Sequence, residues 1–128
     1  MRILVIGGTR LVGRGIVAAA VERGHDVTLF NRGTTDPEAF PTATHLVGDR
    51  NSDLKALATG EWDVTVDVSA YVHQQVIALG EALGRRAGRH AFVSTISVYG
   101  NDVPESGFTE DAELVEPDWD QTLTMQRY

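Results

Sequence analysis

The 128-residue sequence contains no cysteine, which excludes a disulfide framework and thiolate metal sites. Its four histidines, His25, His45, His73 and His90, are scattered without ligand spacing, so no metal site is expected. Long apolar runs are missing too. Met1 and Arg2 precede only four strongly apolar residues, too few for a secretory signal core, and no stretch approaches a membrane span. A cytoplasmic protein with no membrane partner is expected. There is also no excess of positive charge. Residues 1–100 carry ten basic and ten acidic side chains, whereas 101–128 carry one basic and eight acidic, so the net charge of −7 resides in the tail. A neutral body offers nucleic acid no electrostatic footprint, and no such partner is expected. The remaining composition, 42% hydrophobic and 23% charged, is that of one soluble domain, taken as residues 1–128.

The stretch from Arg2 to Arg23 organises the chain. Ile3, Leu4, Val5 and Ile6 form an unbroken apolar run, as in a parallel strand buried on both faces, and a glycine-rich turn follows at once. Beyond it the apolar period changes to Val12, Ile16 and Ala19 or Ala20, which reads as a helix stopped at Gly24. Gly7 and Gly8 permit backbone angles closed to other residues, and Gly13 lets the helix approach the strand. With so little side chain in the way, a pyrophosphate can reach the free amides and the positive end of the helix dipole. Gly7, Gly8, Thr9, Arg10, Leu11, Val12 and Gly13 therefore form a candidate dinucleotide cradle. A tight strand-to-helix turn can also select glycine for its own sake, so the pattern alone leaves both readings open.

Val27 to Phe30 reads as a second strand ending in Asn31-Arg32-Gly33. At that point of a strand-helix-strand unit a carboxylate would bind the 2′-hydroxyl of NAD, but Asn31 is neutral and Arg32 cationic. A guanidinium suits the 2′-phosphate of NADP, which is therefore favoured over NAD; the alternative is a solvated loop arginine. Residues 34–42, with Pro37 and Pro41, read as an irregular crossover. Thr44 to Val47 make a third strand, closed by Gly48-Asp49-Arg50. Asp49 either bonds the adenine amino group or caps a short helix over Asp53 to Ala58, for which Ser52 or Asn51 is better placed. Val64, Val66 and Val68 mark a fourth strand. Ser69-Ala70-Tyr71 opens the longest helix, with the stripe Val72, Val76, Leu79, Leu83 and an end at Gly88. Ala91 to Val93 form a fifth strand that delivers Ser94, Thr95 and Ser97 to its carboxyl end, where ligands of parallel sheets bind. Those hydroxyls either hold a substrate oxygen or satisfy loop backbone. From 101 onward the chain reads as a polar acidic loop, with solvated Asp118 and Asp120, and then a helix near Gln121 to Tyr128. The whole predicts a Rossmann α/β domain, a three-layer αβα sandwich with a parallel sheet in the order 3-2-1-4-5 and right-handed crossovers.

Taken together, Ile6-Gly7-Gly8-Thr9-Arg10-Leu11-Val12-Gly13, Gly24-His25-Asp26-Val27, Gly48-Asp49 and Phe92 to Gly100 resemble the extended and atypical short-chain dehydrogenases/reductases, the superfamily of NAD-dependent epimerases and dehydratases. The resemblance covers the whole chain, with Arg10 in place of the central glycine of the family's motif and Asp67 where many relatives carry histidine. Gly-Gly-Thr-Arg and Asn-Arg-Gly look like a bacterial branch related to chloroplast stem-loop RNA-binding proteins. The resemblance implies a nicotinamide cofactor held by the cradle, Asn31, Arg32, Asp49, Arg50 and the loop Ser69, Ala70, Tyr71. It implies catalysis on a small carbonyl or hydroxyl substrate, a nucleotide sugar being one such class, with Thr95 orienting the reacting oxygen and Tyr128 transferring its proton. The lysine that follows the family's tyrosine is absent, as is the substrate-binding portion, so the 128 residues alone are expected to bind cofactor without turnover and either to associate, as in a homo-oligomer, or to be poorly soluble. The alternative is a non-catalytic dinucleotide-binding redox sensor or RNA-associated regulator.

Overall fold

A computed structural model describes residues 1–99, 107 and 109–116. They fall into two compact units, Met1–Val93 and the described part of Ser94–Arg127. The predicted Gln121 to Tyr128 helix and the acidic pair Asp118 and Asp120 lie outside the described residues, as does Tyr128.

The first unit runs β1 (Arg2–Ile6), α1 (Leu11–Glu22), β2 (Asp26–Asn31), β3 (Thr44–Val47), β4 (Val64–Asp67), α2 (His73–Leu83) and β5 (Arg89–Phe92). The five strands form one parallel sheet in the order β3-β2-β1-β4-β5. That is the expected Rossmann topology, with helices flanking the sheet.

Strand β1 is central, and its four apolar residues divide between the two sides of the sheet. Leu4 and Ile6 join Phe30, Leu57, Trp62, Leu79 and Leu83, while Ile3 and Val5 join Val17, Ala20, Val27 and Leu29. Burial of this kind contributes about 1.5–3 kcal/mol for each large apolar side chain, and it explains why a run without polar alternation is stable here.

Helix α1 meets the sheet through Gly13, Val17 and Ala20, not through the stripe Val12 and Ile16 that hydropathy suggests. Val12 is 60% exposed. The cause is Gly13, which has no hydropathic weight but must face inward for the helix to dock against the glycine loop. Helix α2 begins at His73, later than the expected Ser69, because the intervening residues are held in a turn by bonds of their own. Ser69 donates from its N–H to Asp67 and from its hydroxyl to the Ile6 carbonyl. The Gln75 side chain then accepts from the N–H groups of Tyr71 and Val72, which sets the start of the helix. Leu79 and Leu83 are buried as expected, Val72 and Val76 only half-buried, and Gln75 is buried beside them. The helix gives way to a 3-10 turn over Gly84–Ala87.

The short helix placed over Asp53 to Ala58 is a 3-10 turn over Lys55–Leu57. Its starting N–H, that of Lys55, is met by the Asp53 carboxylate at 3.2 Å; neither Asp49, Asn51 nor Ser52 caps it. Strand β5 begins two residues earlier than expected, and all four of its residues are exposed.

Candidate dinucleotide site

The site is built where β1 turns into α1. Gly7 and Gly8 have φ of 102° and 94°, a region that L side chains rarely enter. Space is as restrictive as torsion. A Cβ on Gly8 would lie 2.8 Å from Leu29 Cδ2, and one on Gly13 would lie 2.8 Å from Val68 Cγ2 and 3.0 Å from the Gly8 Cα. The first turn of α1 thus rests directly on the backbone of the loop. Arg10 stands at the N-cap position in an extended conformation without a side-chain cap, so its side chain leaves the helix amides uncovered. Leu11 adopts φ of 42° and is 90% exposed, an apolar side chain held on the open side of the loop.

Beside the loop runs the end of β2, whose Phe30 carbonyl accepts from Gly7 N–H at 2.9 Å. The half-buried Asn31 uses its Oδ1 to accept from Gly33 N–H at 2.8 Å, shaping the turn that projects Arg32. Arg32 is exposed, and its guanidinium has no hydrogen bond or ion pair among the described residues. Arg14, one turn into α1, is committed elsewhere: it pairs with Asp36 at 2.6 Å and lies 5.4 Å over the Phe40 ring.

The ends of β3 and β4 contribute a buried polar network. Asp49 Oδ1 accepts from Asn51 N–H at 2.9 Å, closing a turn. Arg50 then points inward. Its two terminal nitrogens donate to the two carboxylate oxygens of Asp67 at 2.7 and 2.9 Å, and also to Ser69 Oγ at 3.1 Å and to the Gln75 carbonyl at 3.2 Å. Asp67 is fully buried, and the Arg50 side chain is only 10% exposed. Gln75 in turn donates to Asn51 Oδ1 at 2.6 Å. Sequence reading placed Arg50, Ser69 and Asp67 separately and missed their union. The available signal was a carboxylate inside an apolar strand with a cation at the end of another strand, since a charge buried without a partner is prohibitively costly.

The structure therefore brings together Gly7, Gly8, Gly13, Asn31, Arg32, Asp49, Arg50 and Ser69 at the carboxyl ends of β1 to β4. Ala70 is half-buried, and Tyr71 is 61% exposed on the loop beyond. Thr95 belongs to the second unit, where it precedes a 3-10 turn over Ile96–Tyr99. Its hydroxyl donates to Ser97 Oγ and accepts from Ser97 N–H, both at 3.3 Å. An open cavity of about 360 Å³, lined by residues including Arg2, Asp26, Thr44 and Trp62, lies at the opposite, amino ends of the strands and takes no part in the site. There too Asp63 is held below the ordinary value of 3.8, first by accepting from the Arg2 backbone N–H and then by the Arg2 guanidinium. Among the described residues, no group of three or more histidine or acidic side chains is placed to hold a metal. No helix among them is long and apolar enough to cross a membrane.

The architecture has many counterparts among solved structures. A short-chain dehydrogenase/reductase superfamily protein of Agrobacterium tumefaciens with bound NAD matches 91% of the chain and 40% of its own length, with a TM-score of 0.70 and 24% identity. UDP-glucose-4-epimerase of Stenotrophomonas maltophila, with bound NAD and formylated UDP-arabinopyranose, matches 90% of the chain and 43% of its own length, with a TM-score of 0.74 and 19% identity. The fold is that of short-chain dehydrogenases and epimerases.

Two curated proteins are similar in sequence. The 3-beta-hydroxysteroid dehydrogenase of Mycolicibacterium neoaurum is 36% identical over 72 residues, 56% of the chain and 20% of that protein. The chloroplast stem-loop binding protein of 41 kDa b of Arabidopsis thaliana is 31% identical over 114 residues, 77% of the chain and 30% of that protein. The chain thus spans less than a third of either curated relative. No protein-family model matches it.

Proposed function

We propose that this chain is the dinucleotide-binding part of an NAD(P)-dependent oxidoreductase or epimerase of the short-chain dehydrogenase type. The observation that carries the reading is the cradle: Gly7 and Gly8 turn the chain at φ of 102° and 94°, Gly13 packs the first turn of α1 onto the Gly8 backbone, and no side chain caps the α1 amides beside them, the arrangement a pyrophosphate needs. The bound nicotinamide supplies hydride exchange. On this reading the loop amides and Arg10 hold the pyrophosphate. Arg32 meets the 2′-phosphate of NADP with its free guanidinium, and Asp49 has one carboxylate oxygen left for the adenine amino group.

Ser69, Ala70 and Tyr71 border the nicotinamide end. Thr95 orients the substrate oxygen and Tyr128 transfers its proton, by resemblance to the family. The substrate class is a small carbonyl or hydroxyl compound. The rival, a dinucleotide module without catalysis, shares the first step and parts from it only at turnover.

The test is a calorimetric or fluorescence titration with NADPH and NADH. Saturable binding with a Kd of about 1–100 μM for at least one of them is expected, equivalent to about 5–8 kcal/mol. Absence of binding at about 1 mM of both would dismiss the reading.

A further inference from the structure

We infer that the buried Arg50–Asp67 pair is the positioning device of this site, fixing the loop between β4 and α2 against the glycine loop through Ser69. The inference rests on the dinucleotide reading above and gives Arg50, expected to meet the cofactor itself, and Asp67 a part that they play through other residues.

The geometry supplies a continuous path. Asp67 Oδ1 accepts from Ser69 N–H at 3.1 Å, and Arg50 donates to Ser69 Oγ at 3.1 Å, so the backbone and the side chain of Ser69 are both held by the pair. The same Ser69 hydroxyl donates to the Ile6 carbonyl at 3.3 Å, the last residue of β1 before Gly7. A Cβ on Gly7 would lie 2.9 Å from Val68 Cγ2 and 3.4 Å from Ser69 Cβ, so the two loops are in contact at that point. Arg50 also reaches the Gln75 carbonyl in the first turn of α2. One guanidinium thus ties together the ends of β3 and β4, the first turn of α2 and, through Ser69, the start of the phosphate loop.

Stability does not account for this arrangement. A buried ion pair offsets little more than its own desolvation, and apolar residues of similar volume often serve a core as well or better. The Arg50 Nε is moreover buried without a partner among the described residues, an unfavourable feature in a purely structural pair. What methionine and leucine could not reproduce is the set of directed bonds from Arg50 and Asp67 to Ser69 and Gln75. A loop placed by such bonds is held to within a fraction of an ångström, which is the tolerance a cofactor site demands.

The double variant Arg50→Met/Asp67→Leu separates the two roles, since it removes both charges together and leaves neither stranded. It is expected to melt within a few degrees of the wild type yet bind NADPH or NADH about tenfold more weakly or worse. Ser69→Ala, which keeps the ion pair, is expected to weaken binding about threefold with an unchanged melting temperature. Wild-type affinity in a folded double variant would overturn the inference while leaving the dinucleotide reading intact. Should the double variant not fold, Arg50→Lys decides instead, since one ammonium keeps the charge against Asp67 but cannot reproduce the bonds to Ser69 and Gln75 together, and an unchanged Kd there would overturn it. A wild-type chain that binds neither nucleotide removes the reading and this inference with it.

Discussion

Gly13 faces Val68 across a gap that admits no side chain: a Cβ built on Gly13 would lie 2.8 Å from Val68 Cγ2. The contact is between the first turn of α1 and the residue that follows β4, so the helix, the loop and the neighbouring strand meet at one atom. Gly13→Val must push α1 away from the sheet, and overpacking of this kind costs about 1–3 kcal/mol. The expected outcome is a lower melting temperature and no detectable cofactor binding at concentrations where the protein is still folded. Undiminished binding by a folded Gly13→Val variant would show that these glycines serve only the turn.

Arg32 is expected to set the choice of cofactor. One charge-assisted contact to the 2′-phosphate is worth about 1.5–3 kcal/mol, so NADPH should bind about tenfold or more tightly than NADH. Arg32→Ala should erase that ratio by weakening NADPH alone. Parallel titrations of the two proteins with the two cofactors measure it, and equal wild-type affinities would refute it.

Acid stability should depend in part on Asp63. Its folded pKa is lowered, so its contribution is present above the ordinary carboxylate value near 3.8 and is lost as the pH falls through the lower, folded value. Thermal melts of wild type and Asp63→Asn should therefore differ most near neutral pH and converge at the acid end. A difference that grows on acidification would contradict the assignment.

Two leucines only seven positions apart should respond to truncation in opposite ways. Leu4 is fully buried in the centre of the sheet, whereas Leu11 is 90% exposed on the glycine loop. Leu4→Ala is expected to cost about 2–5 kcal/mol in denaturant unfolding, and Leu11→Ala within about 0.5 kcal/mol of nothing. A large loss at Leu11 would mean that the loop is covered in solution.

The sheet was legible because its signals are local. Unbroken apolar runs such as Ile3 to Ile6, closed by glycines, declare buried parallel strands, a helix between the first two makes them neighbours, and the Rossmann pattern supplies the rest of the order. Hydropathy misjudged the face of α1 because the residue that sets it, Gly13, carries no hydropathic signal. The start of α2 escaped for a different reason: Ser69 is held by Asp67 and Ile6, and no propensity of the segment itself reports that. The Arg50–Asp67 pair joins the ends of β3 and β4 across the connection between them, 17 positions apart, so nothing within either local window reveals it, although a carboxylate in a buried strand announces that some partner must exist. Within the candidate site the glycine turn was readable from type and spacing; the internal bonds of Asn31, Asp49 and Arg50 were not.

The central position of β1 also bears on how the chain is born. Its register pairs Ile6 with Phe30 on one side and with Asp67 on the other, so the innermost strand precedes both of its neighbours in sequence. During synthesis at about 5–20 residues per second, roughly 3–12 s pass between the addition of Ile6 and that of Asp67. For that interval a run of four apolar residues has at least one bare edge, and neither of its crossovers can close through local contacts alone. Slowing translation between Gly24 and Asp67 should lengthen that interval in proportion.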